Sequence, residues 1–155
     1  MAEFGNEYQE EDTLKDKYLT FDLGKNNYAV ALYYVTEILH MMKIIPMPDT
    51  PDYVRGIISL RGDAIPVIDL RMKLGLDAAE YDDRTCIVIV SSDGFKLGLI
   101  VDTASEVKMI AENEVEPLDA EGAAYIKGKA QDGGFVLDIL KILEEDDPGA
   151  DAQAN

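Results

Sequence analysis

The stretch that decides the fold is Cys86-Ile-Val-Ile-Val-Ser-Ser-Asp-Gly-Phe-Lys-Leu-Gly-Leu-Ile-Val101, in which two apolar runs flank a Ser-Asp-Gly turn. Asp-Gly between apolar runs is a strong signal for a β-hairpin. A second hairpin is predicted nearer the start, where residues 19–23 and 28–32 alternate apolar and polar or small side chains around Gly24-Lys-Asn-Asn27. The chain is therefore predicted to be mainly β.

The two hairpins open two similar halves of the sequence. Residues 28–32 align with residues 97–101 at an offset of 69, and Val67-Ile-Asp-Leu70 aligns with Val136-Leu-Asp-Ile139 at the same offset. Similar segments that recur in the same order indicate an internal duplication. Each half has about five short strands, which predicts two small antiparallel barrels packed together, because closure of a barrel removes exposed sheet edges.

Helices are expected to be few and short. Asp69 can cap a helix that ends near Gly75, and Asp138 can cap a helix over residues 139–143. The connection over residues 46–51 contains three prolines, which disfavour a regular element there.

The charge of the chain limits its partners. The 155 residues include 31 Asp and Glu against 14 Lys and Arg, a formal charge of −17. Binding to nucleic acid or to an anionic membrane surface needs clustered basic residues, so neither is expected. No apolar run approaches the ~20 residues of a membrane span, and no signal peptide is recognisable. With the single cysteine Cys86, these features predict a reducing, cytoplasmic location without membrane insertion.

Much of the negative charge belongs to the two ends. Residues 1–12 and 144–155 carry ten acidic and no basic side chains. Such compositions bury too little apolar surface to order the chain, so we expect disordered acidic tails over residues 1–14 and 144–155. The domain between them, residues 15–143, divides into a first half at about 15–82 and a second half at about 83–143, and an exchange of strands between the halves is left open.

No catalytic, cofactor-binding or metal-binding residues are predicted. His40 is the only histidine and has no carboxylate at a suitable spacing, and Cys86 begins an apolar strand that has no basic neighbours. The glycines form no nucleotide-binding motif, and pairs such as Asp82-Asp83 lack the spacing of a calcium loop. A metal-dependent enzyme that uses acidic loops remains the distant alternative.

The arginines are clustered instead. All four lie within residues 55–84, and Arg61 comes directly before Gly62, a turn glycine. Its side chain is expected at the tip of a strand beside Asp63. Arginine is enriched at the centres of protein interfaces, so this turn is a candidate docking site.

The stretch Tyr53-Val-Arg-Gly-Ile-Ile-Ser-Leu-Arg-Gly-Asp-Ala-Ile-Pro-Val-Ile-Asp-Leu-Arg71 resembles the signature of the CheW family, the coupling proteins of bacterial chemotaxis. The resemblance extends over residues 18–143. One residue departs from it, because Ser59 stands where the family usually has asparagine.

The resemblance implies a non-enzymatic adaptor made of two SH3-like, five-stranded β-barrel subdomains with few short helices. Its implied partners are the cytoplasmic tips of chemoreceptors and the regulatory domain of the CheA histidine kinase, and it would associate with membrane receptor arrays through them. A CheW-like scaffold of a non-motility pathway is the nearer alternative.

The resemblance implies partner-binding roles for Val35, Glu37, Arg61, Gly98 and Val107, and a shaping role for the turns at Gly56 and Gly62. A receptor helix would lie in an apolar groove between the barrels. Val35, Ile38, Val101 and Val107 are expected to line this groove.

Overall fold

The computed structural model describes residues 14–118 and 124–147, and it confirms the mainly β class. The strands are β1 (Lys17–Leu23), β2 (Asn26–Ala31), β3 (Val35–His40), β4 (Val54–Leu60), β5 (Asp63–Asp69), β6 (Cys86–Ser92), β7 (Phe95–Val101), β8 (Thr103–Met109), β9 (Val115–Pro117), β10 (Ile126–Ala130) and β11 (Phe135–Leu137). The helices are short: α1 (Leu70–Lys73), α2 (Ile139–Asp146) and two 3-10 turns, Leu32–Tyr34 and Glu112–Glu114.

The strands form two sheets. One has the order β3-β6-β7-β5-β4 and is called the first barrel here, and the other has the order β8-β1-β2-β11-β10-β9 and is called the second barrel. In the first barrel, Ile45 exchanges backbone hydrogen bonds of 2.8 and 2.9 Å with Ile57 of β4. Because Ile45 follows β3 along the chain, this bridge connects the two outer strands of the sheet. In the second barrel, β9 follows β8 and pairs with β10 in the corresponding way.

The barrels do not coincide with the two halves of the sequence. The hairpin β1–β2 comes from the first half but lies in the second barrel, and β6–β7 comes from the second half but lies in the first barrel. Each exchanged hairpin is joined to its barrel through a parallel strand pair, with Val67 opposite Gly98 in one and Phe135 opposite Tyr28 in the other.

The largest apolar cluster lies between the two barrels, and we call it the central core. It contains Phe21 and Val30 from the second barrel, Val88 and Leu99 from the first, and residues of both helices such as Ile142. Each barrel also has a smaller core, formed by isoleucine and valine side chains in the first barrel and mainly by alanine, isoleucine and valine in the second. Full burial of one such aliphatic side chain stabilises a fold by about 2 kcal/mol. Separating the barrels would expose the central core to water and lose the largest share of this stabilisation.

A first polar contact joins the barrels at Asp102, between β7 and β8. The Arg71 guanidinium of α1 donates from Nε to Asp102 Oδ1 at 2.8 Å, and the backbone N–H of Gly24, in the turn of the second barrel, donates to Asp102 Oδ2 at 2.8 Å. The Asp102 N–H donates to the Asp22 carbonyl at 3.1 Å. We call Arg71, Asp102 and Gly24 the Arg71 junction.

A second polar cluster lies around Lys73, two residues after Arg71 in α1. The Lys73 side chain is only 2% exposed. Its ammonium group lies 2.6 Å from Glu145 and 3.0 Å from Asp146, both near the end of α2. Tyr53 and Tyr125 enclose it, with the ammonium 4.3 and 4.9 Å from their ring centres. Burial alone would lower the pKa of Lys73, but hydrogen bonds with Glu145, Tyr53 and Asp146 outweigh burial and raise it. We call this cluster the Lys73 junction.

The predicted start of the C-terminal tail at residue 144 is wrong. Helix α2 continues through Asp146, because Glu145 and Asp146 are ion-paired with Lys73 and the Asp138 side chain caps the helix start by accepting from the Lys141 N–H. Residues 1–13 and 148–155, which make up most of the two predicted tails, lie outside the described residues. Across the two described ranges, no helix has the length and apolar character needed to cross a membrane.

The Lys73→Met variant is expected to lower the free energy of unfolding by about 3 kcal/mol, because Asp146, with an 8% exposed side chain, would keep a charge without its cation. Urea denaturation measures this. The double variant Lys73→Met/Asp146→Leu should recover most of the loss, since it removes both charges. A double variant that is less stable than Lys73→Met would show that the unpaired charge of Asp146 is not the cause of the loss.

Acid is expected to destabilise the protein through the two junctions. Hydrogen bonds from Arg71 lower the pKa of Asp102, and those from Lys73 lower the pKa of Glu145. In the unfolded chain these carboxyls return to a pKa of about 4, so the unfolded state binds more protons as the pH falls. Stability should be full above about pH 5 and should decrease below it. Asp102→Asn should make this decrease shallower in urea denaturation at a series of pH values, and an unchanged slope would exclude Asp102 as a contributor.

Candidate protein-binding site

Arg61 and Gly62 form the two-residue turn between β4 and β5. Their φ angles are +49° and +88°, the left-handed values that a tight hairpin turn requires at both positions. Glycine adopts this conformation freely, whereas a side chain costs about 1 kcal/mol there. Residues in this conformation are often found at functional sites. The turn places the Arg61 side chain at the tip of the first barrel.

Arg61 makes a bidentate ion pair with Glu37 of β3. Its Nη2 atom donates to both carboxylate oxygens at 2.7 and 2.8 Å, and its Nη1 atom donates at 3.2 Å. The carboxylate of Asp63, the residue expected beside Arg61, lies 3.5 Å from the Lys96 ammonium instead. Glu37 belongs to β3 and Arg61 follows β4, and these are the two outer strands of the sheet. The contact therefore spans the closure of the barrel and joins two of the predicted site residues.

The position of this ion pair favours a role in binding. The side chain of Arg61 is 65% exposed and that of Glu37 is 32% exposed. An exposed ion pair of this kind contributes less than about 1 kcal/mol to stability. Both groups can therefore change partners at little cost to the fold.

Three of the predicted apolar residues lie on outer strands. On β3, Ile38 is 46% exposed, whereas Val35 is half-buried against the central core. On β8, Val107 is 50% exposed and its neighbour on the same face, Met109, is 65% exposed. Ile38 and Val107 thus belong to different barrels, and each presents an apolar side chain to solvent.

The other predicted residues are not at the surface. Val101 is 1% exposed and packs in the central core, so the expectation that it lines a groove is wrong. Strand β7 lies inside its sheet and both of its faces are covered, since Val101 points into the central core and Ile100 into the core of the first barrel. Gly98 and Gly56 are also buried, and a Cβ atom on Gly98 would lie 2.9 Å from Ile87 Cγ2.

A related ion pair, not predicted from the sequence, lies in the second barrel. Lys108 of β8 lies 2.7 Å from Asp132, in the turn between β10 and β11, and this contact lowers the pKa of Asp132. Both ion pairs join an outer strand to a hairpin turn 24 residues later. Their polarity is reversed, because the turn carries the cation in the first barrel and the anion in the second. The shared spacing was the available signal.

The candidate residues for catalysis do not form a reactive site. His40 and Cys86 lie opposite each other in the register of β3 and β6. Cys86 is buried, which raises the pKa of its thiol and disfavours the nucleophilic thiolate. Within residues 14–118 and 124–147, no three His, Cys, Asp or Glu side chains are grouped so that they could hold a metal ion.

Comparison with known proteins identifies the family. Residues 17–147 match the family model described as the CheW-like domain. The chain belongs to the CheW-like domain family.

Named relatives agree with this membership. The chain is 29% identical over 143 residues to "Chemotaxis protein CheW" of Klebsiella aerogenes, covering 88% of this chain and 86% of the relative. It is 33% identical over 136 residues to the protein of the same name from Treponema pallidum, covering 81% and 80%. The crystal structure of scaffolding protein TtCheW from Thermoanaerobacter tengcongensis superposes with a TM-score of 0.72 at 35% identity, covering 79% of this chain and 86% of that one.

CheW-family membership confirms three predictions. The two sheets correspond to the two SH3-like subdomains of the family, the role is that of a chemotaxis adaptor and scaffold, and the protein is not an enzyme.

Two glycines of the signature should respond differently to alanine. At Gly56, with φ +139°, a Cβ atom would lie 2.1 Å from the Ile45 carbonyl oxygen and would break the bridge that closes the first barrel. At Gly62 there is open space, so only the left-handed conformation opposes a side chain. Gly62→Ala should cost about 1 kcal/mol and Gly56→Ala at least about 3 kcal/mol in urea denaturation. Equal losses would contradict this account of Gly56.

Proposed function

We propose that this CheW-family chain binds the cytoplasmic tips of chemoreceptors and the regulatory domain of the CheA histidine kinase, and so couples receptor state to kinase activity. The chain would act in the cytoplasm and associate with membrane receptor arrays through these partners. The observation that carries the proposal is the exposed, bidentate Arg61–Glu37 pair on a strained turn, in a chain whose family consists of scaffolds.

The distribution of exposed groups supports two binding surfaces. Ile38 lies on the first barrel and Val107 on the second, so each of two partners can have an apolar contact of its own. Arg61 and Glu37 add complementary charge on the first barrel, which fixes the orientation of a partner more than it adds affinity. Val35 supports the surface of β3 from the side of the central core.

Coupling requires that the contacts differ between kinase states. A partner that binds equally well in the kinase-on and kinase-off arrangements shifts neither population. An ion pair that contributes little to the fold can be exchanged for a partner's carboxylate in one arrangement and restored in the other. Arg61 is suited to this exchange because its planar fork bonds to carboxylates in a fixed geometry.

The Arg61→Glu variant is expected to lose receptor-dependent control of the kinase, since it places a second negative charge beside Glu37. The free energy of unfolding should change by less than about 1 kcal/mol, as expected for an exposed pair. The measurements are kinase autophosphorylation with and without a receptor cytoplasmic fragment, co-purification with each partner, and urea denaturation.

Two controls separate binding from general charge effects. Lys96→Glu reverses an exposed charge of the same barrel and should keep receptor control. The swapped variant Arg61→Glu/Glu37→Arg restores an ion pair within the chain. It should still fail to give receptor-dependent control of the kinase, because the partner meets the wrong charge at the turn. Full control in Arg61→Glu would refute the docking role of Arg61. Co-purification with a receptor and kinase of a non-motility pathway, and with neither chemotaxis partner, would favour the paralogous scaffold.

A further inference from the structure

The short helix α1 is the point at which both polar junctions between the barrels meet. It follows β5 of the first barrel, and Leu70, at its start, is fully buried in the central core. Arg71 and Lys73 are two residues apart, a spacing at which helical side chains do not face each other. They therefore point to different places: Arg71 to the Arg71 junction and Lys73 to the Lys73 junction.

Each junction includes groups from both barrels. At the Arg71 junction, the Asp102 carboxylate accepts hydrogen bonds from Arg71 on one side and from Gly24, in the turn of the second barrel, on the other. At the Lys73 junction, Tyr53 precedes β4 of the first barrel, whereas Glu145 belongs to the helix that follows β11 of the second. These contacts are directional, whereas packing in the central core is not.

The start of α1 is itself held in place. The Asp69 side chain accepts a hydrogen bond from the Met72 N–H at 3.2 Å, which caps the helix, and one from the Tyr81 hydroxyl at 2.7 Å. Asp69 is 2% exposed, so this cap is buried as well as bonded. The orientation of α1 relative to the first barrel is therefore fixed independently of the two junctions.

We infer that Arg71 and Lys73 are positioning residues that fix the angle between the two barrels, so that the chain transmits signals as one rigid body without an inter-barrel hinge. This inference rests on the proposed function. If partners contact different barrels, a receptor-driven shift at one barrel reaches the other only when the angle between them is constant. Neither residue touches a partner in this account. Loss of either junction uncouples the partners without preventing their separate binding.

The test compares Arg71→Gln and Lys73→Met with the intact protein. Dissociation constants for a receptor cytoplasmic fragment and for the kinase regulatory domain, each measured alone, should stay within about twofold of the intact protein. Receptor-dependent control of kinase activity should fall by about tenfold, a typical size for a coupling factor between two sites. Ile58→Ala truncates a buried side chain in the core of the first barrel, away from both junctions, and should lose about as much stability as Lys73→Met. It is the matched control and should keep full receptor control of the kinase.

The distance between the two barrels can be measured directly, and a loss of stability alone does not change it. Spin labels at Ala64→Cys in the first barrel and Lys127→Cys in the second lie on exposed strand positions, and the buried Cys86 does not compete for labelling. The intact protein should give one narrow distance distribution, unchanged in kinase-on and kinase-off complexes. The distribution should broaden in Arg71→Gln and in Lys73→Met.

The outcomes separate the two proposals. A shift in the distance between the on and off complexes of the intact protein would overturn the rigid-body inference and leave the proposed function standing. Normal control and an unchanged distribution in both junction variants would overturn the positioning roles. If the intact protein binds neither partner, the proposed function fails, and the rigid-body inference as a signalling mechanism fails with it, whatever the distance distribution of the free protein.

Discussion

The exchange of hairpins between the two barrels is the constraint on which the rest of the structure depends. Each barrel is completed by two strands from the other half of the chain, and each exchanged hairpin is joined through a parallel pair, which cannot be formed by a tight turn. The faces of these hairpins that point away from their barrels meet in the central core. Neither half of the chain can bury its apolar surface alone.

The central core and the polar junctions contribute differently. Apolar burial supplies most of the free energy but tolerates small rotations, because it depends on area rather than direction. The hydrogen bonds of Asp102 and the enclosure of Lys73 by two tyrosine rings select one orientation. A chain that presents separate surfaces on two barrels needs both contributions: stability from the core and a defined angle from the junctions.

Local patterns predicted the local features well. The hairpin turns, the caps at Asp69 and Asp138 and the mainly β class all follow from residue order over a few positions. The strands β2 and β11 pair although they lie about 100 residues apart in the sequence, and this pairing leaves no local trace. The contact of Arg61 with Glu37, 24 residues apart, depends on closure of the barrel and is signalled only by its shared spacing with the Lys108–Asp132 pair. The end of α2 was not predicted because residues 144–147 have the composition of a disordered tail. The sequence alone does not show that Lys73 lies close enough to pair with Glu145 and Asp146.

The burial of Val101 could have been predicted from the apolar run that contains it. The run Leu97-Gly-Leu-Ile-Val101 is continuously apolar, and such runs are typical of strands that are covered on both faces, whereas alternation marks strands with one face in solvent. A resemblance to a family identifies which positions matter, but it does not separate those that touch a partner from those that hold the surface in shape.

The exchange also sets an order of events during synthesis. The hairpin β1–β2 leaves the ribosome about 100 residues before β11, the strand that pairs with Tyr28 and Ala29. At about 5–20 residues per second, the roughly 100 intervening residues take about 5–20 seconds to translate. During that interval, the edge of β2 that later pairs with β11 lacks its native partner. The ribosome, rather than the intrinsic folding rate, would then set the earliest moment at which the second barrel can close.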